Sequence, residues 1–282
     1  MSATPYGQRD NWRDGAALDA ARGRERAASL ELRGSAAEQI EIRAAYLDLL
    51  DIAPGESVLE VGCGSGAVLR DLARRVAPAG RAVGVDPSPV MLQIAGELAG
   101  AAGLGEVIEL REGDARALPF PNGAFDVVLA ATALSHVPDG ERAVPELLRV
   151  ARPGGRVGVF DADTDSMIIS HPDRTLTRRI IAARSDHQFA NSWLPRRLPG
   201  LFREAGLQDI RLRAFTAFDH DLEGWSGVQA GRAAATAAEI GAISEDERRQ
   251  WLEQLQLEQA AGRFTGGITY LFVWGTVPQG SI

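Results

Sequence analysis

The chain has 282 residues, 45% of them apolar, and a net charge of −8 at pH 7. This length and composition suffice for a globular domain with a sizeable core. The excess of acids argues against a general nucleic-acid-binding surface, because phosphate neutralisation needs clustered cations. All 30 cations are arginines, which excludes chemistry that depends on a lysine, such as Schiff-base formation.

The cysteine and hydropathy patterns indicate the compartment. The single cysteine, Cys63, excludes an intramolecular disulfide framework and a cysteine zinc site. The longest apolar runs are shorter than the roughly 18 to 20 residues of a membrane span, and the N-terminus lacks the apolar core of a signal peptide. We therefore expect a cytoplasmic protein with no membrane span, no bound nucleic acid and a small-molecule substrate. Its assembly is left open, a homodimer being one option.

The first half of the chain predicts a parallel sheet preceded by a polar arm. Residues 1–35 are arginine-rich with few apolar anchors, so we expect a loosely packed arm or one with a short helix. An amphipathic helix is predicted over residues 35–52. Strand and helix patterns then alternate, with strands at 57–61, 81–86, 106–111, 125–131 and 155–161 and helices at 66–76, 88–101 and 139–151. Such alternation is typical of a parallel sheet with helices on both faces.

The second half predicts how that sheet closes. A helix is expected over 195–207, followed by strand candidates at 208–219 and 263–278 that would form a late antiparallel pair. Residues 162–194 and 221–262 do not fit the alternation. Insertions at one edge of an α/β sheet usually carry its specificity, so we expect both to form helical lids or substrate walls.

Three glycines follow the first predicted strand, in a stretch, VLEVGCGSG, that continues into a helix. Gly62, Gly64 and Gly66 allow a tight turn, a close approach of backbone N–H groups to a ligand, and an exposed helix N-terminus. The pattern alone is weak evidence. A dinucleotide-binding fold uses the same device with its third glycine one place later, and a purely structural turn is the other interpretation.

Two acidic residues narrow the choice of ligand. Asp86 ends the second predicted strand, where a carboxylate can accept both hydroxyls of an adenosine ribose. Asp114 lies just past the third predicted strand, where a carboxylate can accept from an adenine amino group. Together with the glycine loop, these acids favour an adenosine-containing ligand.

Four stretches, in order, resemble the motifs of S-adenosylmethionine-dependent methyltransferases with the Rossmann-like fold: VLEVGCGSG, GVDPSPVML, GDARALPFPNGAFDVVLA and LLRVARPGGRVGVFD. The resemblance is to the branch of the ubiquinone and menaquinone biosynthesis methyltransferases and covers about residues 40–161. It implies an α/β fold with a seven-stranded, mostly parallel sheet, an antiparallel closing strand, helices on both faces and helical lid insertions. We interpret the chain as an arm of residues 1–35 and a methyltransferase domain of residues 36–282.

The resemblance also implies a cofactor, S-adenosylmethionine, and a reaction, methyl transfer to a small organic molecule at oxygen or carbon. Glu60 and residues 62–66 would lie under the methionine portion of the cofactor, Asp86 at its ribose and Asp114 at its adenine. The full set of implied cofactor-binding residues is Glu60, Gly62, Cys63, Gly64, Gly66, Asp86, Pro87, Ser88, Met91, Gly113, Asp114, Ala115, Ala130 and Ala131.

Candidates for the acceptor side rest on single residues. His136 follows the fourth predicted strand, and an imidazole titrates near neutral pH, so it is either a catalytic base or a histidine satisfied by the backbone. Ser135 departs from the family pattern, in which this place often carries a histidine or an asparagine. Candidate substrate-binding residues are Trp12, His136, Asp161, His187, Trp193 and Arg197. Each also fits a packed or solvated position, and no metal site is predicted.

Three alternative functions stay open at this point. The chain could keep the cofactor while catalysing a rearrangement or elimination, or it could be a cofactor-binding module without turnover. Formation of a methylated product would distinguish a methyltransferase from both of these alternatives. A nicotinamide-dependent oxidoreductase is disfavoured by the position of the third glycine and by Asp114.

Overall fold

The fold centres on a seven-stranded sheet, seen in a computed structural model that describes residues 18–280. The strands are β1 (Ser57–Val61), β2 (Arg81–Asp86), β3 (Ile108–Glu112), β4 (Phe125–Ala131), β5 (Ala151–Ile169), β6 (Gln208–Asp219) and β7 (Gly266–Thr276). Their order across the sheet is β3-β2-β1-β4-β5-β7-β6. Neighbouring strands are parallel except where β7 pairs antiparallel with β5 and β6. The predicted mostly parallel sheet with an antiparallel closing strand is thereby confirmed.

Helices cover both faces of the sheet. They are α1 (Ala20–Ser35), α2 (Ala37–Leu49), α3 (Ala67–Val76), α4 (Pro89–Ala101), α5 (Ala143–Val150), α6 (Arg174–His187), α7 (Leu194–Glu204), α8 (Trp225–Glu239) and α9 (Glu245–Ala260). On one face, strand residues such as Leu59 and Val128 pack with α5 and α7. On the other face, their neighbours Val58 and Val127 pack with α2 and α3. Because side chains alternate between the faces of a strand, a sheet buried on both sides needs apolar residues at successive positions.

Several boundaries differ from the predicted ones, and two of these differences have a clear physical cause. β5 continues beyond its predicted end to Ile169, since β7 is long enough to pair with it as far as Gly266. α5 begins at Ala143, later than predicted. The reason is Pro145, because a proline is tolerated in the first turn of a helix but not in its interior.

The two stretches that interrupt the alternation fold together. The first contributes α6 and the second contributes α8 and α9; we call these three helices the helical cluster. They share a separate apolar core, and they contact the sheet at β5 and β7. Trp251 is 1% exposed in this core, and its Nε1 donates to the Thr177 hydroxyl at 3.0 Å.

Part of the predicted arm is a helix packed on the domain. Asp19 caps α1 by accepting the Arg22 N–H at 2.9 Å. α1 then approaches α4 so closely that a Cβ added at Gly23 would lie 2.3 Å from Val90 Cγ1. Trp12 lies outside the described residues, and the division of the chain at residue 35 stays a prediction. Within residues 18–280, none of the helices has the length and apolar character required to span a bilayer.

The core of the helical cluster can be tested at Trp251. Trp251→Ala should destabilise the protein by about 3–5 kcal/mol, the usual cost of truncating a large buried aromatic side chain. Thermal unfolding followed by circular dichroism measures the effect. Leu257→Ala is the control, because Leu257 lies on the same helix and is 61% exposed. A Trp251 variant that unfolds at the same temperature as this control would contradict the assigned packing.

Candidate functional site

A cavity of about 470 Å³ lies at the carboxyl ends of β1, β2 and β4. Its volume falls within the roughly 300–1,000 Å³ of small-molecule sites, and open α/β sheets bind their ligands at this edge. The walls come from the glycine loop after β1, from the segments that follow β2, β3 and β4, and from α1 and α2. The topology therefore brings distant parts of the chain to one site.

The glycine loop adopts a conformation that only glycine accommodates well. Gly62, Gly64 and Gly66 have φ angles of +76°, +52° and +79°, in the left-handed region. A Cβ added at Gly62 would lie 2.4 Å from the Cβ of Ala133. α3 begins directly after the loop without a side-chain cap, which leaves N–H groups of its first turn at the cavity. The loop and helix can bind an anionic or polar group through backbone donors.

Asp86 connects the glycine loop to the end of β2. Its carboxylate, 7% exposed, accepts the N–H groups of Gly64 at 2.9 Å and Ser88 at 3.0 Å. Burial raises the pKa of Asp86, and the two hydrogen bonds partly offset that rise. Each carboxylate oxygen has two lone pairs, so Asp86 can still accept hydroxyl groups of a ligand in the cavity.

Glu60 is a second buried acid at the same loop. Its side chain is almost fully buried, lines the cavity, and has an Oε2 atom without a hydrogen-bond partner. Burial, followed by the negative charge of Asp86, raises the pKa of Glu60 well above its usual value. A buried carboxylate with an unused oxygen is costly unless a cation or donor meets it. The loop end of the cavity is therefore suited to a ligand with a positive charge.

Asp114 lines the cavity just after β3. The Arg116 guanidinium contacts both of its oxygens, with Nη2 to Oδ2 at 2.6 Å, and holds its pKa below the usual range. Asp114 is about half exposed and lines the cavity together with Arg116. A ligand amino group at this place would share the carboxylate with that arginine.

The remaining residues of the implied cofactor set divide into two groups. Those that line the cavity are Cys63, Pro87, Gly113, Ala115 and Ala131. Those that lie outside the lining are Gly66, Ser88, Met91 and Ala130. Ser88 caps α4 by accepting the Met91 N–H at 3.4 Å, and the Met91 side chain is fully buried. These two shape the site through the start of α4.

The turn after β4 is fixed by a buried carboxylate. Asp161, 1% exposed, accepts the N–H and the hydroxyl of Ser135, both at 2.9 Å, and the N–H of Ala162. Burial raises the pKa of Asp161, and the charge of His136 opposes that rise. His136 lines the cavity, with its ring 5.2 Å from that of Phe189. Ser135, the departure from the family pattern, is thus the hydrogen-bond partner that positions the turn.

His187 and Trp193 of the first insertion, and Arg197 of α7, lie outside the cavity lining. Trp193 is 52% exposed, with the Arg196 guanidinium 4.6 Å above its ring. Arg197 lies 3.8 Å from Glu141, and His187 is in the last turn of α6. Within the described residues, the cavity lining includes none from residues 162–194 or 221–262. The expected lids therefore do not form its walls.

α1 and α2 supply the wall that sequence reasoning missed. Glu31 accepts the Ser65 hydroxyl at 2.7 Å and pairs with Arg70 at 2.6 Å, which joins α1 to the glycine loop. Arg33 donates to the Thr132 hydroxyl at 3.0 Å, which joins α1 to the end of β4. The sequence signal for this packing is weak, because it consists of small and apolar residues spaced along one face of α1. In residues 18–280, no cluster of three or more side chains suited to a metal ion occurs.

The chain resembles known methyltransferases over much of its length. A family model described as a methyltransferase domain matches residues 59–159. The nocamycin O-methyltransferase of Saccharothrix syringae is 33% identical in an alignment that covers 69% of this chain and 79% of that protein. A demethylmenaquinone methyltransferase of Bacillus cytotoxicus is 33% identical over 60% of this chain and 76% of that protein.

Two further comparisons concern the length of the chain relative to its relatives and the fold. A transposon-borne 37.1 kDa protein of Streptomyces fradiae is 32% identical over 82% of this chain, which spans 65% of that relative's length. The solved structure of the YcgJ protein from Bacillus subtilis superposes with a TM-score of 0.58 at 19% identity, covering 84% of this chain and 98% of that one. The second likeness shows a shared fold.

The electrostatic state of Glu60 leads to a prediction about stability. A group whose pKa is raised on folding contributes stability below its unfolded pKa, here about 4.5, and that contribution is lost as pH rises through the folded pKa. Glu60→Gln should therefore raise the melting temperature at pH 8 by roughly 2 to 4 °C, the shift expected for 1 kcal/mol in a protein of this size. At pH 4.5 the two proteins should melt at nearly the same temperature.

Differential scanning calorimetry across that pH range provides the measurement. Glu56→Gln is a control, because Glu56 is an acid whose Oε1 pairs with Arg156, so its neutralisation should not stabilise the protein. A Glu60→Gln variant that melts below the unsubstituted protein at pH 8 would show that the buried charge is already compensated.

Proposed function

The chain belongs to the S-adenosylmethionine-dependent methyltransferases, and we propose that it methylates a small organic molecule at oxygen or carbon. The relatives named nocamycin O-methyltransferase and demethylmenaquinone methyltransferase favour acceptors of this size. The observation that carries the proposal is one cavity whose lining combines two chemically different sets of residues. Glu60 and Asp86 lie at the strand ends beside the glycine loop, and His136 and Phe160 lie in the turn after β4 and in β5.

The residues at the loop end fit the cofactor. The unpartnered Oε2 of Glu60 suits a donor such as the amino group of the methionine portion. Asp86 is placed to accept ribose hydroxyls, and Asp114 to accept from the adenine amino group. The positive φ angles of the glycine loop let its backbone approach the ligand without side-chain interference.

Bound S-adenosylmethionine supplies a methyl group made electrophilic by its sulfonium. What the chain must provide is alignment of the acceptor and exclusion of water, a proximity effect that can lower the barrier by several kcal/mol. α1 and α2 cover the cavity with Leu30 and Tyr46, which makes it a pocket for a small acceptor rather than a groove for a nucleic acid. The net negative charge supports the same acceptor class.

His136 is our candidate for the proton acceptor. Its ring lines the cavity beyond the end of β4, and its backbone belongs to the turn that Ser135 and Asp161 fix. A neutral imidazole can accept a proton from an acceptor hydroxyl or acidic carbon while the new bond to the methyl group forms. Asp161 is a positioning residue in this scheme, since its oxygens are bound to the protein. Trp12, His187, Trp193 and Arg197 have no assigned role in it.

Methyl transfer tests the proposal directly. The purified chain, incubated with methyl-labelled S-adenosylmethionine and a panel of phenols, quinols, enols and carboxylic acids, should yield S-adenosylhomocysteine and a methylated product. Asp86→Ala should weaken binding of S-adenosylhomocysteine tenfold or more, because it removes the ribose acceptor and frees the Gly64 N–H. Binding of S-adenosylhomocysteine without label transfer to any class in the panel would contradict methyltransferase activity toward small acceptors.

The role of His136 has its own test. His136→Asn should lower kcat by about 10²- to 10⁴-fold, the range for loss of a general base, with the Kd for S-adenosylhomocysteine unchanged. His220→Asn is the matched control, because His220 lies near Thr265 at 3.2 Å, away from the cavity lining. An unchanged kcat in the His136 variant would assign that residue to the wall alone.

A further inference from the structure

The arginines that line the cavity are not equivalent. Arg43 pairs with Asp71 at 2.5 Å, and Arg116 pairs with Asp114 at 2.6 Å. Arg33 also lines the cavity, but among the described residues no carboxylate lies within 4.0 Å of its guanidinium. One of its nitrogens donates to the Thr132 hydroxyl. The guanidinium therefore retains donors for a ligand.

The position of Arg33 is set by an unusual backbone conformation. Thr132, directly after β4, has a φ angle of +51°, which is rare and costly for a β-branched residue. Its N–H donates to the Phe160 carbonyl at 2.6 Å, so the strained residue is held between the ends of β4 and β5. Arg33 is thereby fixed at the part of the cavity that also contains Phe160 and His136.

This part of the cavity has an aromatic wall. The Phe160 ring stacks on Tyr46 at 4.3 Å and on Tyr270 at 4.9 Å, measured between ring centroids. Phe160 and Tyr46 both line the cavity. Aromatic rings pack favourably on one another in offset-stacked or edge-to-face arrangements. The wall therefore favours a flat, conjugated acceptor.

A second unpaired cation lies behind that wall. Arg184 is 2% exposed; its two terminal nitrogens donate to Gln229, and its Nε has no partner. Among the described residues, no carboxylate pairs with it. The Tyr270 hydroxyl is also buried and, although Gln39 approaches it, lacks a hydrogen bond of standard geometry. Arg33 and Arg184 both lower the pKa of this hydroxyl, while burial, the largest effect, raises it.

The cavity lining carries charges of both signs. Glu60 and Asp86 line it beside the glycine loop and suit a cationic ligand. Arg33 lines it beside Thr132, where Asp161, the buried acid of the turn after β4, already accepts from Ser135 and Ala162. The half-buried Arg33 guanidinium, without a carboxylate partner among the described residues, is therefore available to an anionic ligand.

We propose that Arg33 binds an anionic oxygen group of the acceptor, so that the preferred substrates are flat conjugated acids, either carboxylates or ionised enols and phenols. A guanidinium suits this role because its planar donors match two oxygens at once. The inference rests on the proposed function, since it names the acceptor class of the same site. It assigns Arg33 as a specificity-determining residue.

Equilibrium binding in the presence of saturating S-adenosylhomocysteine tests this assignment. The probes are matched pairs that differ in charge: naphthoate against naphthamide, and an ionised hydroxycoumarin against its methyl ether. The unsubstituted protein should bind each anion about tenfold to a hundredfold more tightly than its neutral analogue, as expected for a charge-assisted hydrogen bond. In Arg33→Gln this preference should fall to about twofold or less, and in Arg33→Lys it should be partly retained.

The controls distinguish a failure of the proposed function from a failure of the inference about Arg33. Arg22→Gln, on the same helix with a side chain 64% exposed, should keep the full preference for anions. Failure of every variant and of the unsubstituted protein to bind S-adenosylhomocysteine would overturn the proposed function itself. If S-adenosylhomocysteine binds normally but no anion is preferred over its neutral analogue, only the inference about Arg33 is overturned. The same holds if no member of any pair binds. A preference that persists in Arg33→Gln would also overturn that inference.

Discussion

The hydrogen bond from the Gly64 N–H to the Asp86 carboxylate is the interaction on which the site depends. It joins the loop after β1 to the end of β2, and the same carboxylate also accepts the N–H of Ser88, just before α4. One buried acid therefore determines where two helices begin relative to the sheet edge. Because glycines with positive φ angles occupy three of its five positions, residues 62–66, the loop has few side chains of its own with which to hold that position. The carboxylate supplies what the glycines lack.

The cost of this arrangement is electrostatic. Glu60 and Asp86 are both buried beside the cavity, and burial raises the pKa of each. A site that holds two acids out of water is less stable without its ligand than an apolar one would be. The same cost contributes to ligand binding, because a positive group that contacts Glu60 relieves the unfavourable burial of its carboxylate. Outside the cavity lining, Arg184 is a buried cation bound to neutral partners.

The strands and the loop end of the site could be predicted from the sequence, because both depend on local patterns. A run such as 57–61 followed by spaced glycines specifies strand, turn and helix over a few residues, and parallel topology then places Asp86 and Asp114 at one edge. The acceptor end could not be predicted in the same way. Arg33 and Tyr46 reach the cavity from helices that precede the first strand. Their meeting depends on tertiary packing that no short pattern encodes.

The difference between the two walls follows from how they are held. The strand wall is anchored by fully buried residues, and α3, which opens it, buries Leu69, Leu72 and Val76 against the sheet. α1 buries only Gly23 and Ala27, so it is held largely by the polar contacts that Glu31 and Arg33 make with the loop and with Thr132. Few buried apolar contacts mean a low local free energy of opening. The strand wall, which contacts the cofactor common to the family, is thus the strongly packed one. The wall formed by α1, which presents Arg33 to the acceptor, is weakly packed, so substitutions there cost the least folding free energy.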